Sequence, residues 1–238
     1  MKPNSLLALL GFPLLCTASV VVVPNGMDNT PGTVQLGGVI NTQFAEMEQV
    51  IIGSSQLSSI PIGSAITGIG FRLAPNQPTF PPGNRTFPLF QMLFGEATGE
   101  PGTQVALRAA NYTFNNHFVI TSLTIAANSF TSNATIGQFG FLHFSSPFIY
   151  QGGPVLAEWV YSSTGNFEFP LWDGVPVQPG VIAALHNFNA NSPEGIIDVF
   201  APVVALEFTP AAVPEPATVW MGFALAGVAL LSRRFQEK

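Results

Sequence analysis

Apolar and polar positions alternate most regularly over residues 65–73 (AITGIGFRL), where Thr67, Ile69, Phe71 and Leu73 interleave with Ile66, Gly68, Gly70 and Arg72. A period of two predicts a half-buried β-strand. Residues 86–95 (TFPLFQMLFG) follow an irregular proline-rich loop at 75–83. Their unbroken hydrophobicity predicts a strand covered on both faces, with Pro88 at its start or at an edge, since proline cannot donate to a ladder. Residues 155–161 (VLAEWVY) set Val155, Ala157, Trp159 and Tyr161 on one face and Glu158 on the other. Weaker strand signals, carried by Val, Ile, Thr and Phe, fall at 34–39, 44–52, 118–126, 137–144, 166–171, 180–185, 196–200 and 203–208. Turn clusters part them at 95–102, at Ser145-Ser146-Pro147, at 151–154, at Trp172-Asp173-Gly174, at Pro179-Gly180 and at 187–195. Residues 105–110 suit a short helix or a strand equally. Short strands at near-regular spacing, with no useful helix signal between the two chain ends, predict an all-β fold, a β-sandwich of jelly-roll type.

The two ends depart from this pattern. Lys2 precedes a ten-residue apolar stretch at 6–15, and Cys16, Thr17 and Ala18 then offer small residues for cleavage. This reads as a secretory signal peptide cut after Ala18, too short to anchor the chain. A lipoprotein reading at Cys16 wants a small residue just before the cysteine, and Leu15 stands there. At the other end, Val213, Pro214, Glu215 and Pro216 lead into an apolar run at 217–231 and then the basic pair Arg233 and Arg234. The prolines fix φ, remove two backbone donors and hold Glu215 on extended chain, a shape that proteolytic clefts bind. Fifteen residues of helix span roughly 22 Å, short of the roughly 30 Å hydrocarbon core but within reach once the arginines snorkel. Basic residues directly after the span keep that end cytoplasmic and put the bulk of the chain outside. A membrane anchor with a proline hinge and no processing is the alternative.

In motif, span and basic end, this tail resembles the PEP-CTERM family of bacterial surface proteins. The resemblance implies that exosortase, a membrane transpeptidase-like enzyme, processes the chain. It further implies a transient membrane hold through the C-terminal helix, followed by release to the cell surface or extracellular matrix. A looser resemblance over residues 49–161 is to the domains that precede such tails, and it implies an all-β fold without an activity. The expected organisation is a signal peptide at 1–18, a β-sandwich at 19–209 and a sorting signal at 210–238.

Composition fits an exported chain better than a cytosolic enzyme: 8% of residues are charged, against about a quarter in ordinary soluble domains. Between Ser19 and Pro216 the only basic side chains are Arg72, Arg85 and Arg108, facing twelve Asp and Glu. That balance excludes nucleic acid as a partner, because phosphate binding needs clustered cations. A cut after Ala18 leaves no cysteine, so stability has to come from a sizeable apolar core rather than disulfides.

Motifs for chemistry are absent. His117, His143 and His186 lie 26 and 43 residues apart on separate segments, which is no metal-ligand spacing. The carboxylates Glu46, Glu48, Glu96, Glu100, Glu158, Glu168, Asp173, Glu194 and Asp198 show no diagnostic pattern, and no cofactor motif is present. Glu158 and Asp173 are the pair a secreted polysaccharide hydrolase would require; solvent-facing acids on a sandwich are the plainer reading. Sugar contact by Trp172 with Asp173, and by Asn187 and Asn189 in the NFNAN loop, is the non-catalytic alternative, set against a reading in which Trp159 and Trp172 are both core. The function expected is therefore non-catalytic: adhesion or association with exopolysaccharide.

Overall fold

The computed structural model describes residues 17–113, 123–131 and 139–211. The signal peptide before Thr17, the sorting residues Val213 to Pro216, the apolar span, Arg233, Arg234 and His117 lie outside the described residues. Among the described residues the fold is all-β, with no α-helix and no helix long and apolar enough to cross a membrane.

Fourteen strands follow one another: β1 (Ser19–Val23), β2 (Val34–Leu36), β3 (Glu46–Ile52), β4 (Ala65–Phe71), β5 (Arg85–Phe87), β6 (Phe90–Glu96), β7 (Leu123–Ile125), β8 (Gly140–Ile149), β9 (Val155–Tyr161), β10 (Trp172–Pro176), β11 (Ile182–Asn187), β12 (Ile196–Ile197), β13 (Phe200–Pro202) and β14 (Val204–Thr209). Their pairings are antiparallel. One sheet runs β1-β14-β4-β8, a second runs β12-β11-β3-β9-β6, and smaller sheets run β13-β10-β2 and β5-β7. The first two share one core. Ile66, Ile69, Phe71 and Leu206 from the first pack with Val50, Ile52, Phe94, Ala157 and Trp159 from the second, and the Phe71 and Trp159 rings meet edge to face at 5.0 Å.

The strand at 65–73 forms, with a twist that its alternation does not show. A register shift between Ile66 and Gly68 lets Ile66 and Ile69, three apart, both enter the core. On β8 the same shift gathers residues 144–147 opposite Thr67, so the strand runs on through Pro147, where a break was expected. Pro147 is tolerated because β8 is an edge strand whose ladder is interrupted there. The segment 86–95 divides at Pro88 into β5 and β6. Cover on both faces is not what β6 receives: Gln91 is exposed while Phe90, Met92 and Phe94 are buried, as suits an edge strand. Strand β9 takes the expected facing, with Val155, Ala157, Trp159 and Tyr161 inward. Residues 166–171 form no strand, and Trp172-Asp173-Gly174, expected as a turn, opens β10 instead.

Both ends of the domain lie together. Ser19 pairs with Phe208, and Thr209 pairs with Ala65, at the end of the sheet where the turn 151–154 joins β8 to β9. At the opposite end Val204 pairs with Phe71 and Val23, and Phe71 leans on Trp159 and Trp172.

Candidate functional site

Strand β3 carries its core face to the end of the sandwich and finishes it in acid. Period two puts Ile52, Val50, Glu48 and Glu46 on one side, the first two inside the core and the last two at its rim. The neighbouring strands continue this polar end in register. His186 on β11 pairs with Glu48, and Tyr161 on β9 pairs with Glu46. Glu46, Glu48, His186 and Asp198 floor a cleft of about 320 Å³ walled by residues 36–39 and by Phe169, Phe188 and Phe200. That volume lies at the small end of ligand pockets.

Three buried aromatic side chains hold the wall. The Trp159 indole donates to the Val39 carbonyl at 2.6 Å, the Trp172 indole donates to the Ile40 carbonyl at 3.0 Å, and the Tyr161 hydroxyl accepts from the Asn41 amide at 3.2 Å. The side chain of Asn41 then accepts from the amides of Gln43 and Phe44, an Asx-type turn that fixes Phe44. Phe44 meets Phe169 and Phe188 edge to face at 6.3 and 6.5 Å and so links two rings of the rim. Phe169 stays in place because Glu168 is tied on both sides: its amide donates to Thr42, and its carboxylate takes Arg85 in a two-point ion pair. A second hollow of about 250 Å³, between the 77–82 loop and Pro170, lies on the other side of Phe169.

The floor is short of positive charge. Glu46 has no exposed surface, and burial pushes its carboxyl up to about 7 against the bonds that Tyr161 and Asn41 donate to it. Glu48 lies well above the carboxylate range, first through burial and then through repulsion by Glu46 and Asp198. Burial, with Glu46 beside it, also lifts the Tyr161 phenol well above its ordinary value. His186 donates from Nδ1 to Asp198 at 2.7 and 2.8 Å, and this bond raises its affinity for a proton against partial burial. The cleft thus joins a greasy rim to a floor of carboxyl groups, suited to hold a ligand with an apolar face and hydrogen-bond donors.

The sugar-contact residues expected from the sequence divide. Trp172 and Asp173 are both buried and neither lines the cleft, which corrects the expectation. The reason is that β10 is the middle strand of its sheet, between β13 and β2. Asp173 pairs with Arg72 at 2.6 Å and takes the Gly32 amide at 2.7 Å, and Arg72 also donates from Nη1 to the Met27 carbonyl and from Nη2 to the Thr30 carbonyl. Asn187 closes β11 and Asn189 sits in the loop after it: the Asn187 side chain donates to the Glu194 carbonyl and accepts from the Asn189 amide. Glu158, read as solvent-facing, is buried on the outer face of β9, where Arg108 and Gln49 hold it. Neither Glu158 nor Asp173 lines the cleft. Among the described residues no group of His, Cys, Asp and Glu is arranged to hold a metal ion.

The residues that sequence reasoning passed over are Glu46, Glu48, His186, Asp198 and the phenylalanine rim. One signal was available: Glu46 and Glu48 extend the inward face of Val50 and Ile52, so acids occupy positions that the period assigns to the core. No family model matches this chain, and neither a curated protein nor a solved structure is found similar to it.

Proposed function

We propose that the chain is an exported bacterial surface or extracellular-matrix protein, sorted through its PEP-CTERM tail by exosortase and non-catalytic, whose domain associates with exopolysaccharide. The cleft carries this reading. It offers ring faces and carboxyl oxygens side by side, the two kinds of surface that a pyranose presents in return, at the end of the sandwich opposite Ser19 and Thr209. A domain held from that end turns the cleft outward. The strand order supports a jelly roll: β1-β14-β4-β8 facing β3-β9-β6 follows the order that two interleaved Greek keys produce. On that frame β10 to β13 are an insertion ahead of the last strand, and with β2 they supply most of the cleft wall.

Mass spectrometry of protein recovered from producing cells tests the sorting: the expected chain begins near Ser19 and ends close to Pro216, and recovery of a chain ending at Lys238 where the sorting enzyme is present refutes it. Replacing Pro214 and Pro216 by Ala should leave the precursor in the membrane. A glycan-binding screen tests the second half, with binding and no turnover expected.

A secreted polysaccharide hydrolase is the second reading, favoured by the Glu46 carboxyl at about 7, a value suited to a general acid, with Glu48 two residues along on the same face. Turnover in that screen, abolished in both Glu46→Gln and Glu48→Gln, would establish it in place of simple binding.

A further inference from the structure

Glu46 leaves one oxygen open. Its Oε2 accepts from the Tyr161 hydroxyl at 2.8 Å and from the Asn41 side-chain amide at 2.8 Å, whereas Oε1 is buried and has no hydrogen-bond partner. A buried carboxyl oxygen left in that state is costly unless something donates to it. Glu46 and Gly38 both line the cleft, and Oε1 sits so near Gly38 that an added Cβ would come within 2.7 Å of it.

Among the described residues no arginine or lysine is free to reach it. The described residues contain three arginines and no lysine. Arg72 is paired with Asp173, Arg85 with Glu168 and Arg108 with Glu158. His186 is the one basic group in the cleft, and its Nδ1 is already engaged by Asp198. Facing Glu46, then, are Glu48 from its own strand, Tyr161 from β9, and His186 with Asp198 from β11 and the segment after it. Two of these four groups are carboxyls.

The rim adds a second preference. Phe169, Phe188 and Phe200 keep 44%, 61% and 41% of their surface exposed around these acids. Phenyl faces accept flat apolar surfaces and attract cations through their negative quadrupole. Rings above and carboxyl groups below favour a positive nitrogen carried on a compact ring.

We infer that the cleft recognises an amino sugar with a free amine, its ammonium donating to Glu46 Oε1 and its ring lying against the phenylalanine rim. This rests on the carbohydrate-binding reading above and gives it a substrate class. An N-acetylated sugar keeps the ring but loses the charge and two of the three donors, and its added acyl group has to fit beside Gly38.

The test uses the full chain in lipid nanodiscs and two probes, a hexamer of β-1,4-linked glucosamine and the same hexamer fully N-acetylated, compared by calorimetry at pH 6.5. The free-amine hexamer should bind at least tenfold more tightly. Glu46→Gln should remove that preference, while Glu194→Gln, which makes the same carboxyl-to-amide change in an exposed loop, should leave it, separating recognition from the general attraction of an acidic protein for a cation. If Glu46→Gln does not fold, Gly38→Ala fills the space against Oε1 and should also abolish the preference. Equal or tighter binding of the N-acetylated hexamer, or a preference that survives both substitutions in the cleft, overturns the inference while leaving carbohydrate binding in place. Binding of neither hexamer, nor of any glycan in the screen, overturns both.

Discussion

The Tyr161 hydroxyl donates to Glu46 across 2.8 Å in the interior, joining a buried phenol to a buried carboxyl. This pair, with Glu48 and His186, makes the stability of the domain depend on pH. Burial raises the Glu46 carboxyl from 4.5 to about 7, so the folded chain holds that proton more tightly than the unfolded chain. The loss of stability therefore starts as pH rises above about 4.5 and is complete above about 7, and for Glu46 alone it is on the order of 3 kcal/mol. Glu48 acts in the same direction. His186, whose folded value is raised, contributes stability below its ordinary 6.5 that disappears as pH climbs through the folded value. All three slopes share a sign, and thermal melting between pH 5 and pH 8 should show Tm falling as pH rises.

Glu46→Gln separates that cluster from the rest of the molecule. The amide keeps the shape and accepts the Tyr161 bond but never ionises. It should raise Tm at pH 8 and leave it unchanged or lower at pH 5, where the parent carboxyl is already neutral. A variant less stable than the parent at both pH values would show that Glu46 is not the group responsible.

Breaking the Arg72–Asp173 pair should be costly. Arg72→Met strands a buried carboxylate, with an expected loss of about 3–5 kcal/mol in urea unfolding at pH 7. Adding Asp173→Asn should recover part of it, because the double variant carries no unpaired charge. Recovery of nothing would mean that Arg72 acts through its bonds to Met27 and Thr30 rather than through charge.

Trp172 and Asn189 should respond very differently to truncation. Trp172→Ala empties a fully buried site and releases the Ile40 carbonyl, at a cost of about 3–5 kcal/mol. Asn189→Ala, in an exposed loop, should stay within about 0.5 kcal/mol. Urea denaturation of the two variants reads the contrast directly, and a Trp172→Ala protein as stable as its parent would contradict the position of β10.

Two glycines should fail for different reasons. A Cβ on Gly53 would stand 2.1 Å from the Gly180 carbonyl oxygen, a backbone atom that cannot swing aside, so Gly53→Ala should cost about 1–3 kcal/mol. At Gly153 nothing lies within 4 Å, but φ is +83°, and Gly153→Ala should cost about 1 kcal/mol through backbone conformation alone. The order of the two midpoints in urea checks the assignment.

The core was legible in the sequence where one face of a strand is repeated at period two, as in Val155, Ala157, Trp159 and Tyr161. It was obscured where the ladder slips: Ile66 and Ile69 cannot both face inward at period two, and only the shift opposite residues 144–147 makes it so. Trp172-Asp173-Gly174 read as a turn from composition, whereas its place is decided by β2 and β13, which come from 136 residues before and 28 residues after Trp172 in the chain. Nothing local could reveal that. For the same reason the cleft was missed as a whole. Its acids were visible one by one, but their convergence depends on β11 pairing with β3 across more than a hundred residues. The charge pairing was hidden in a similar way, since Arg72, Arg85 and Arg108 each find a partner more than fifty positions along, or exactly that many for Arg108.

The pairing of β14 between β1 and β4 bears on how the domain meets mechanical load. A pull applied beyond Thr209 and opposed at the cleft runs along β14, at right angles to the hydrogen bonds that hold it on both sides. Those bonds are then strained together in shear instead of parting one after another, as they would if an edge strand were peeled away. The strand that would receive such a force is the one gripped on both flanks.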